Sequence, residues 1–533
     1  MSSMTPSPKT PNALTKETHG VDTIPLRERS YRPYHIVMTM YGSNLSYSAI
    51  LFGAFPILFG LSWWASVTSV LAGCFIGGLV LAPMGLFGPK TGTNNPVSSG
   101  AHFGVAGRFI GTALALFSAL GFISLTVWTS GDALSTSINR FADTGSDTAQ
   151  RVLGYAVIAA LVLFVCIRGI HLVIKVQERI MAPLMSLVLL AGVFAFAPRF
   201  DAGYAGGDLA FGSFGITWLA STLLIAGLLV SYAGFVGDWA RYIHPDTPAK
   251  NLLGATFFSG MVTCVPILWG AFIASTFPAD SGDFVGSLVA NSPGWFVIGL
   301  IMLALVAGVA QGAIGLYGTG LDTSSLIPRL SRAQATLLIS AVSTVLVYLG
   351  AFVWDALAVV SAFLVVLLIV TGPWAAILAV GYLHSRGHYY PGDLQVFTHG
   401  KKGGRYWFTH GWNWRAVVAW LVGSVVGLLF GAAPPIFTGP FVNVAGGADI
   451  SFGVAIIVGA VLYVAFLHLS PMPTHVFGPE GPAFGKENKN AHLEALTGSA
   501  MAGITAPEEE PAPEAETPPA TAFADASPSV VQK

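Results

Sequence analysis

Apolar stretches separated by short polar or Gly/Pro-rich turns run almost without interruption from about Ile36 to Ser470. The pattern predicts spans near residues 36–60, 64–87, 109–134, 151–167, 174–197, 213–237, 254–278, 294–321, 333–353, 355–383, 415–434 and 450–470. Each is long enough to cross a hydrocarbon layer about 30 Å thick as a helix. Inside that layer every backbone N–H and C=O must find a partner within the protein. The expected fold class is therefore all-α integral membrane, with twelve transmembrane helices.

Two spans carry polar interruptions. The first reads MYGSNLSYSAILFG, with Gly42, Ser43, Asn44 and Ser46 inside an apolar run; the sixth reads LLVSYAGFVGDWARY, with Ser231, Tyr232, Ala233, Gly234 and Gly237. On either span alone these residues could be close-packing positions. The two lie five spans apart, which is the pattern of a 5+5 inverted repeat followed by two extra helices. Unwound backbone at mid-membrane is tolerated where it lines a cavity or meets a ligand. The eighth span, LALVAGVAQGAIGLYGTGLDTSS, adds Gln311, Tyr317 and Thr319. Gln311 and Thr319 are separated by about two helical turns and share a face. That face lines a polar pocket or makes interhelical hydrogen bonds.

Composition narrows the partners. Charged residues make up 10% of the chain and apolar ones 53%, with mean hydropathy +0.68. A net charge of −1 gives no reason to expect a nucleic-acid partner. With the N-terminus inside, only Arg140, Arg151 and Arg199 among the basic residues fall in outer segments, so an even span count with both ends cytoplasmic is expected. The first 33 residues are polar and mixed in charge, unlike a cleavable leader. The expected organisation is a flexible cytoplasmic tail over 1–33, a transporter-sized helical domain over 34–470, and a disordered cytoplasmic tail over 471–533 whose end is rich in Pro, Ala and Glu. Cys74, Cys166 and Cys264 lie inside apolar runs and read as core residues.

Charge is scarce at mid-membrane: Asp132, Asp238, Asp322 and Asp355 all fall near span ends. A dianion or a polyamine would call for buried counter-charges. Aromatic and amide side chains suit a flat, neutral, hydrogen-bonding ring, whose face stacks and whose edge is read by polar groups. No HExxH or GxSxG motif is present, His35, His102 and His171 lack ligand spacing, and GPKTGTNN lacks the spacing of a phosphate loop. No enzyme activity, cofactor, metal or ATP is expected. A passive channel or a membrane sensor is the reading outside the transporter class.

Several collinear segments resemble the nucleobase–cation symporter-1 family, in its purine–cytosine permease branch. They are FGPKTGTNNPVSSGAHFGVAGR (Phe87 to Arg108), FGLSWWAS before it, GIHLVIKVQERIMAP (Gly169 to Pro183) and GDWARY (Gly237 to Tyr242). The resemblance covers roughly residues 31–470. It implies a secondary transporter of the LeuT type, with purines, cytosine, hydantoins, allantoin, or some vitamins or nucleosides as substrates. It aligns Phe122 with a third-helix aromatic that faces the substrate, and Tyr232 with the sixth-helix one. Thr126 stands one turn beyond Phe122, where relatives carry an amide. Phe235 would complete the wall, and Gln311 or Asn44 would supply an edge contact.

Sodium-coupled relatives use eighth-helix hydroxyls at positions that align with Ala313 and Ile314, beside Ala310. Those two side chains offer no oxygen here. The resemblance therefore implies proton rather than sodium coupling, with Asp132, Asp238 and Glu178 as carriers and Asp322 and Asp355 behind them. Asp238 and Arg241 are at helical-neighbour spacing and could instead form a structural ion pair. The expected function is proton-coupled import of a neutral nucleobase, of cytosine or purine type, through the plasma membrane. A permease for allantoin, a hydantoin, a nucleoside or a vitamin, or a sodium-coupled one, is the alternative within the family.

Overall fold

A computed structural model of the chain describes residues 20–142, 147–168, 177–277, 283–326, 331–354, 356–434 and 436–493. Among them, ten helices are long and apolar enough to cross a membrane by length and composition, and two shorter apolar helices accompany them. The first apolar stretch forms α1 (Tyr34–Asn44) and α2 (Tyr47–Leu58), and the second forms α3 (Trp63–Leu81). A short α4 (Asn95–Phe103) precedes α5 (Arg108–Ala142), α6 (Asp147–Arg168) and α7 (Ala182–Phe196). Then come α8 (Phe214–Val230), α9 (Val236–Ala240), α10 (Ala249–Val262), α11 (Cys264–Ala274) and α12 (Phe284–Asn291). α13 (Gly294–Met302) passes through a π-helical segment, Leu303–Gly308, into α14 (Val309–Leu326). α15 (Arg332–Phe352), α16 (Ala356–His384), α17 (Trp414–Phe430) and α18 (Ser451–Leu469) complete the bundle. Large apolar side chains such as Leu153, Leu187, Phe194, Leu421 and Ile457 face outward. In water they would be a liability; against acyl chains they are matched to their solvent.

Both expected helix breaks are present. Leu45 (φ −76°, ψ 60°) and Ser46 (φ −141°, ψ 162°) leave helical space between α1 and α2. Side chains add to the end of α1: Ser43 Oγ and Asn44 Nδ2 both donate to the Met40 carbonyl, at 2.9 and 2.8 Å. In the sixth span the chain tightens to a 3-10 turn at Ser231–Gly234 between α8 and α9. There the partner comes from far away, as Asn95 Nδ2 at the start of α4 donates to the Ala233 carbonyl at 2.8 Å.

Each broken span lies against a glycine. A Cβ on Gly53 of α2 would stand 1.7 Å from the Ile267 carbonyl oxygen of α11, and one on Gly270 of α11 would stand 1.9 Å from that of Ile50. On the other side, a Cβ on Gly73 of α3 would stand 2.6 Å from the Thr222 carbonyl oxygen of α8. Without side chains at these positions the backbones can touch, which is how helices associate where lipid removes the hydrophobic driving force.

The structure differs from the expected tail boundaries. Within 1–33, Ile24 N donates to the Gly92 carbonyl (2.9 Å), Arg29 Nη1 to that of Pro89 (3.1 Å) and Tyr31 N to that of Tyr242 (2.9 Å). Burial lowers the Arg29 guanidinium pKa to about 10. Beyond 470, Met472–Pro473 pairs in parallel with Glu487–Asn488. Tyr390 Oη donates to the Phe477 carbonyl and Arg405 Nη1 to that of His475, at 2.9 and 2.8 Å. Polar composition suggested freedom at both ends, but backbone partners on the helical body anchor residues 20–33 and 471–493. Residues 1–19 and 494–533 lie outside the described residues.

Candidate functional site

The two breaks converge on a cavity of ≈ 30 Å³. α5 contributes Ser118, Phe122 and Ile123; the sixth-span break contributes Ser231, Tyr232 and Phe235; α14 contributes Gln311 and Ile314. None of its lining residues is charged. The first-span break reaches it through hydrogen bonds. Tyr232 Oη donates to Asn44 Oδ1 (3.3 Å) and lies 3.5 Å from Ser43 Oγ. Gln311 Oε1 accepts from Ser46 Oγ (2.6 Å), Thr126 Oγ1 (3.1 Å) and Ser48 Oγ. Phe122 stands between Phe52 of α2, nearly parallel with centroids 6.1 Å apart, and Phe363 of α16, edge-on at 5.8 Å. A cavity of this size holds about one water molecule, so a ring enters only when the walls part.

A larger chamber of ≈ 220 Å³ lies behind Phe363, between α5, α15 and α16. Its walls are apolar apart from Ser124 and the indoles of Trp128 and Trp354, and the Ser124 hydroxyl already serves the Leu120 carbonyl at 2.7 Å. It offers a heterocycle little to read.

Of the expected binding residues, Phe122, Tyr232, Phe235 and Gln311 come together on this cavity. Asn44 and Thr126 stand one hydrogen bond behind it. Thr319 does not line it, because its hydroxyl turns back to the Gly315 carbonyl of its own helix. Sharing a helix face with Gln311 was not enough, since a threonine in a helix can satisfy itself on the preceding turn. Sequence reasoning missed Phe52, Phe363, Ser48 and Asn95. Ser48 had a local signal, a second hydroxyl two residues after Ser46, whereas the rings and Asn95 act through contacts far apart in sequence.

The three expected carriers fare differently. Asp132 is engaged: Arg151 donates to both its oxygens, at 2.9 and 3.2 Å, and Tyr155 Oη to one at 2.5 Å. These bonds tie α5 to α6. Asp238 is buried in α9, next to Phe235, and a Cβ on Gly318 of α14 would stand 2.6 Å from its Oδ2. Only a glycine lets α14 approach that carboxylate so closely. The side chains of Glu178 and Asp322, and Asp355 as a whole, lie outside what the structure describes. Arg241 Nη1 donates to the Gly20 carbonyl at 2.7 Å. Ala310, Ala313 and Ile314 are buried in α14 and bring no side-chain oxygen. Among the described residues no group of three or more His, Cys, Asp or Glu could hold a metal ion.

Residues 23–459 match the family described as permease for cytosine/purines, uracil, thiamine, allantoin. A Bacillus subtilis (strain 168) protein named for a purine-cytosine permease, YxlA, is 24% identical over 463 residues, covering 85% of this chain and 96% of that protein. The vitamin B6 transporter TPN1 of Saccharomyces cerevisiae is 26% identical over 279 residues, 50% of this chain and 46% of that one. Among solved structures, Mhp1, a nucleobase-cation-symport-1 family transporter in a closed conformation with bromovinylhydantoin bound, superposes with a TM-score of 0.67 at 17% identity, covering 87% of this chain and 98% of that one. A sodium-coupled sialic acid symporter in an outward-open state gives 0.52 at 15% identity, over 82% and 90% of the two chains. The fold is thus shared with secondary transporters, and the chain belongs to the family of permeases for cytosine/purines, uracil, thiamine and allantoin, the nucleobase–cation symporter-1 family.

Proposed function

We propose that this protein imports a neutral nucleobase, of cytosine or purine type, across the plasma membrane by alternating access and that protons drive it. One observation carries the reading: an uncharged cavity walled by Phe122, Tyr232 and Phe235 sits where two broken helices meet. Flat rings stack on such walls, and a charged substrate would find no counter-charge among its lining residues. Asp238, buried beside Phe235, is the carrier we favour, and the oxygen-free side chains of Ala313 and Ile314 weigh against sodium.

The topology we infer has twelve spans, the shorter α2 and α17 being parts of the first and eleventh, with both termini cytoplasmic. It consists of a 5+5 inverted repeat and two further helices. The reciprocal packing supports it: the first span lies on the seventh at Gly53 and Gly270, the sixth on the second at Gly73. Two inverted halves exchanging their first helices would pack in this way. A permease for hydantoin or allantoin is the second reading. It is favoured by Thr126, whose hydroxyl serves Gln311 rather than a base edge.

The test is uptake of radiolabelled cytosine, and of hypoxanthine, into cells expressing the full chain, with and without a protonophore, at zero and high sodium. Sodium-independent accumulation that collapses with the protonophore is expected. Accumulation that requires sodium would overturn the proton assignment. Uptake of labelled hydantoin or allantoin, with neither base accumulated, would replace the nucleobase.

A further inference from the structure

Gln311 is 6% exposed, and its two ends have different surroundings. Its carbonyl oxygen has two lone pairs, and three hydroxyls converge on it: Ser46 and Ser48 from the start of α2, Thr126 from α5. Ser46 and Ser48 are 3.1 Å apart, so one of them can bond the other while two serve the carbonyl. That end of the amide is saturated and pinned from two helices. The amide nitrogen, with two protons, makes no well-formed hydrogen bond among the described residues, its near neighbour being the Tyr232 hydroxyl, and Gln311 lines the cavity. Two neighbouring donors are committed, Ser231 Oγ to the Leu228 carbonyl at 2.6 Å and Tyr232 Oη to Asn44, and the Ser118 hydroxyl also lines the cavity. A buried donor left unmatched is costly, so the occupant of this cavity has to bring an acceptor.

We propose that Gln311 is a specificity-determining residue that donates to an exocyclic carbonyl of the substrate, so that the site takes oxo-bearing heterocycles in preference to amino-bearing ones of the same shape. This rests on the nucleobase reading above and deepens it. An exocyclic oxygen offers an unhindered lone pair to one of the two amide protons. An exocyclic amine in the same place sets donor against donor, and turning the amide over to meet it would require the Ser46, Ser48 and Thr126 hydroxyls to change from donors to acceptors.

The experiment is ligand-induced thermal stabilisation of the purified full-length protein, titrated with hypoxanthine, adenine and hydantoin. Hypoxanthine and adenine share a ring system and differ in oxo against amino at one carbon. In the wild type hypoxanthine is expected to bind about tenfold tighter than adenine. Gln311→Glu keeps an oxygen for the three hydroxyls and turns an acceptor toward the cavity. At alkaline pH it should reverse that order, and Gln311→Met should bring the ratio to about one.

Adenine binding as tightly as hypoxanthine to the wild type would overturn the proposal without any variant, and so would a ratio that Gln311→Glu leaves unchanged. If neither purine binds but hydantoin does, and Gln311→Glu weakens it, the purine form of the reading falls while the carbonyl contact stands. Hydantoin binding indifferent to both variants would sink the contact as well.

Discussion

Phe122 and Asp238 have separable duties in the proposed cycle, one for the ring and one for the ion. Phe122 is held between Phe52 and Phe363, so its face is fixed before a ring arrives. Phe122→Ala removes the stacking partner and is expected to lower base affinity about tenfold, with Phe122→Trp retaining it. Competition against a labelled base in membranes reads this, and unchanged affinity in the alanine variant would remove Phe122 from the site. Asp238→Asn keeps the size of a buried side chain beside Gly318 but cannot exchange a proton. It should abolish uphill accumulation while sparing exchange of labelled for unlabelled base. Accumulation intact in Asp238→Asn would move the carrier elsewhere. That Phe122, Tyr232, Phe235 and Gln311 share a cavity was legible through the family resemblance for the three rings and through an amide isolated in an apolar run for Gln311. The self-satisfied hydroxyl of Thr319 and the paired state of Asp132 were not, because both depend on which neighbour a side chain finds first.

At the scale of elements, the breaks of the first and sixth spans were legible because Gly, Ser and Asn interrupt apolar runs there. The partners that make the breaks affordable were not, since Asn95 reaches the Ala233 carbonyl from a distant loop. The connection between α16 and α17 shows the same limit. Its Asp393 carboxylate is buried and paired with Arg405 (Nε to Oδ2, 3.2 Å), and the Arg405 guanidinium also lies 3.9 Å over the Tyr390 ring. Burial raises the Asp393 carboxyl pKa from its usual value and Arg405 works against that rise. In Arg405→Ala the rise is unopposed, and at pH 7 a loss of about 2 kcal/mol is expected, at the low end for breaking a buried pair because the arginine is part-exposed. A carboxyl whose folded pKa lies above its unfolded one binds more protons when folded, so falling pH stabilises. The deficit of Arg405→Ala should therefore shrink as pH drops through the raised pKa, leaving only the lost ring and His475 contacts. Melting curves of the two proteins at pH 7 and pH 5 check this, and a deficit that grows toward acid would contradict the assignment.

For the whole molecule, the cavity sets the terms. At ≈ 30 Å³ it is far smaller than the 300–1,000 Å³ typical of ligand pockets, so any transport step must separate the elements that close it. The polar ties that cross it are few and local: Gln311 to Ser46, Ser48 and Thr126, and Tyr232 to Asn44. By contrast, the glycine contacts of α2 with α11 and of α3 with α8 bring backbones together along whole helices. The first and sixth spans, packed on the seventh and second, face the closely packed α5 and α14 across a handful of hydrogen bonds, and such an arrangement rocks rather than deforms. A cysteine at Ser118, on the α5 wall, reports the motion directly. In a background with Cys74, Cys166 and Cys264 replaced by alanine, a membrane-permeant maleimide should label Ser118→Cys slowly, since the closed cavity excludes the reagent. A saturating base should slow it further by occupying the space. Labelling as fast as at an exposed loop position, or unaffected by a base that is transported, would mean that the substrate passes along another face of α5.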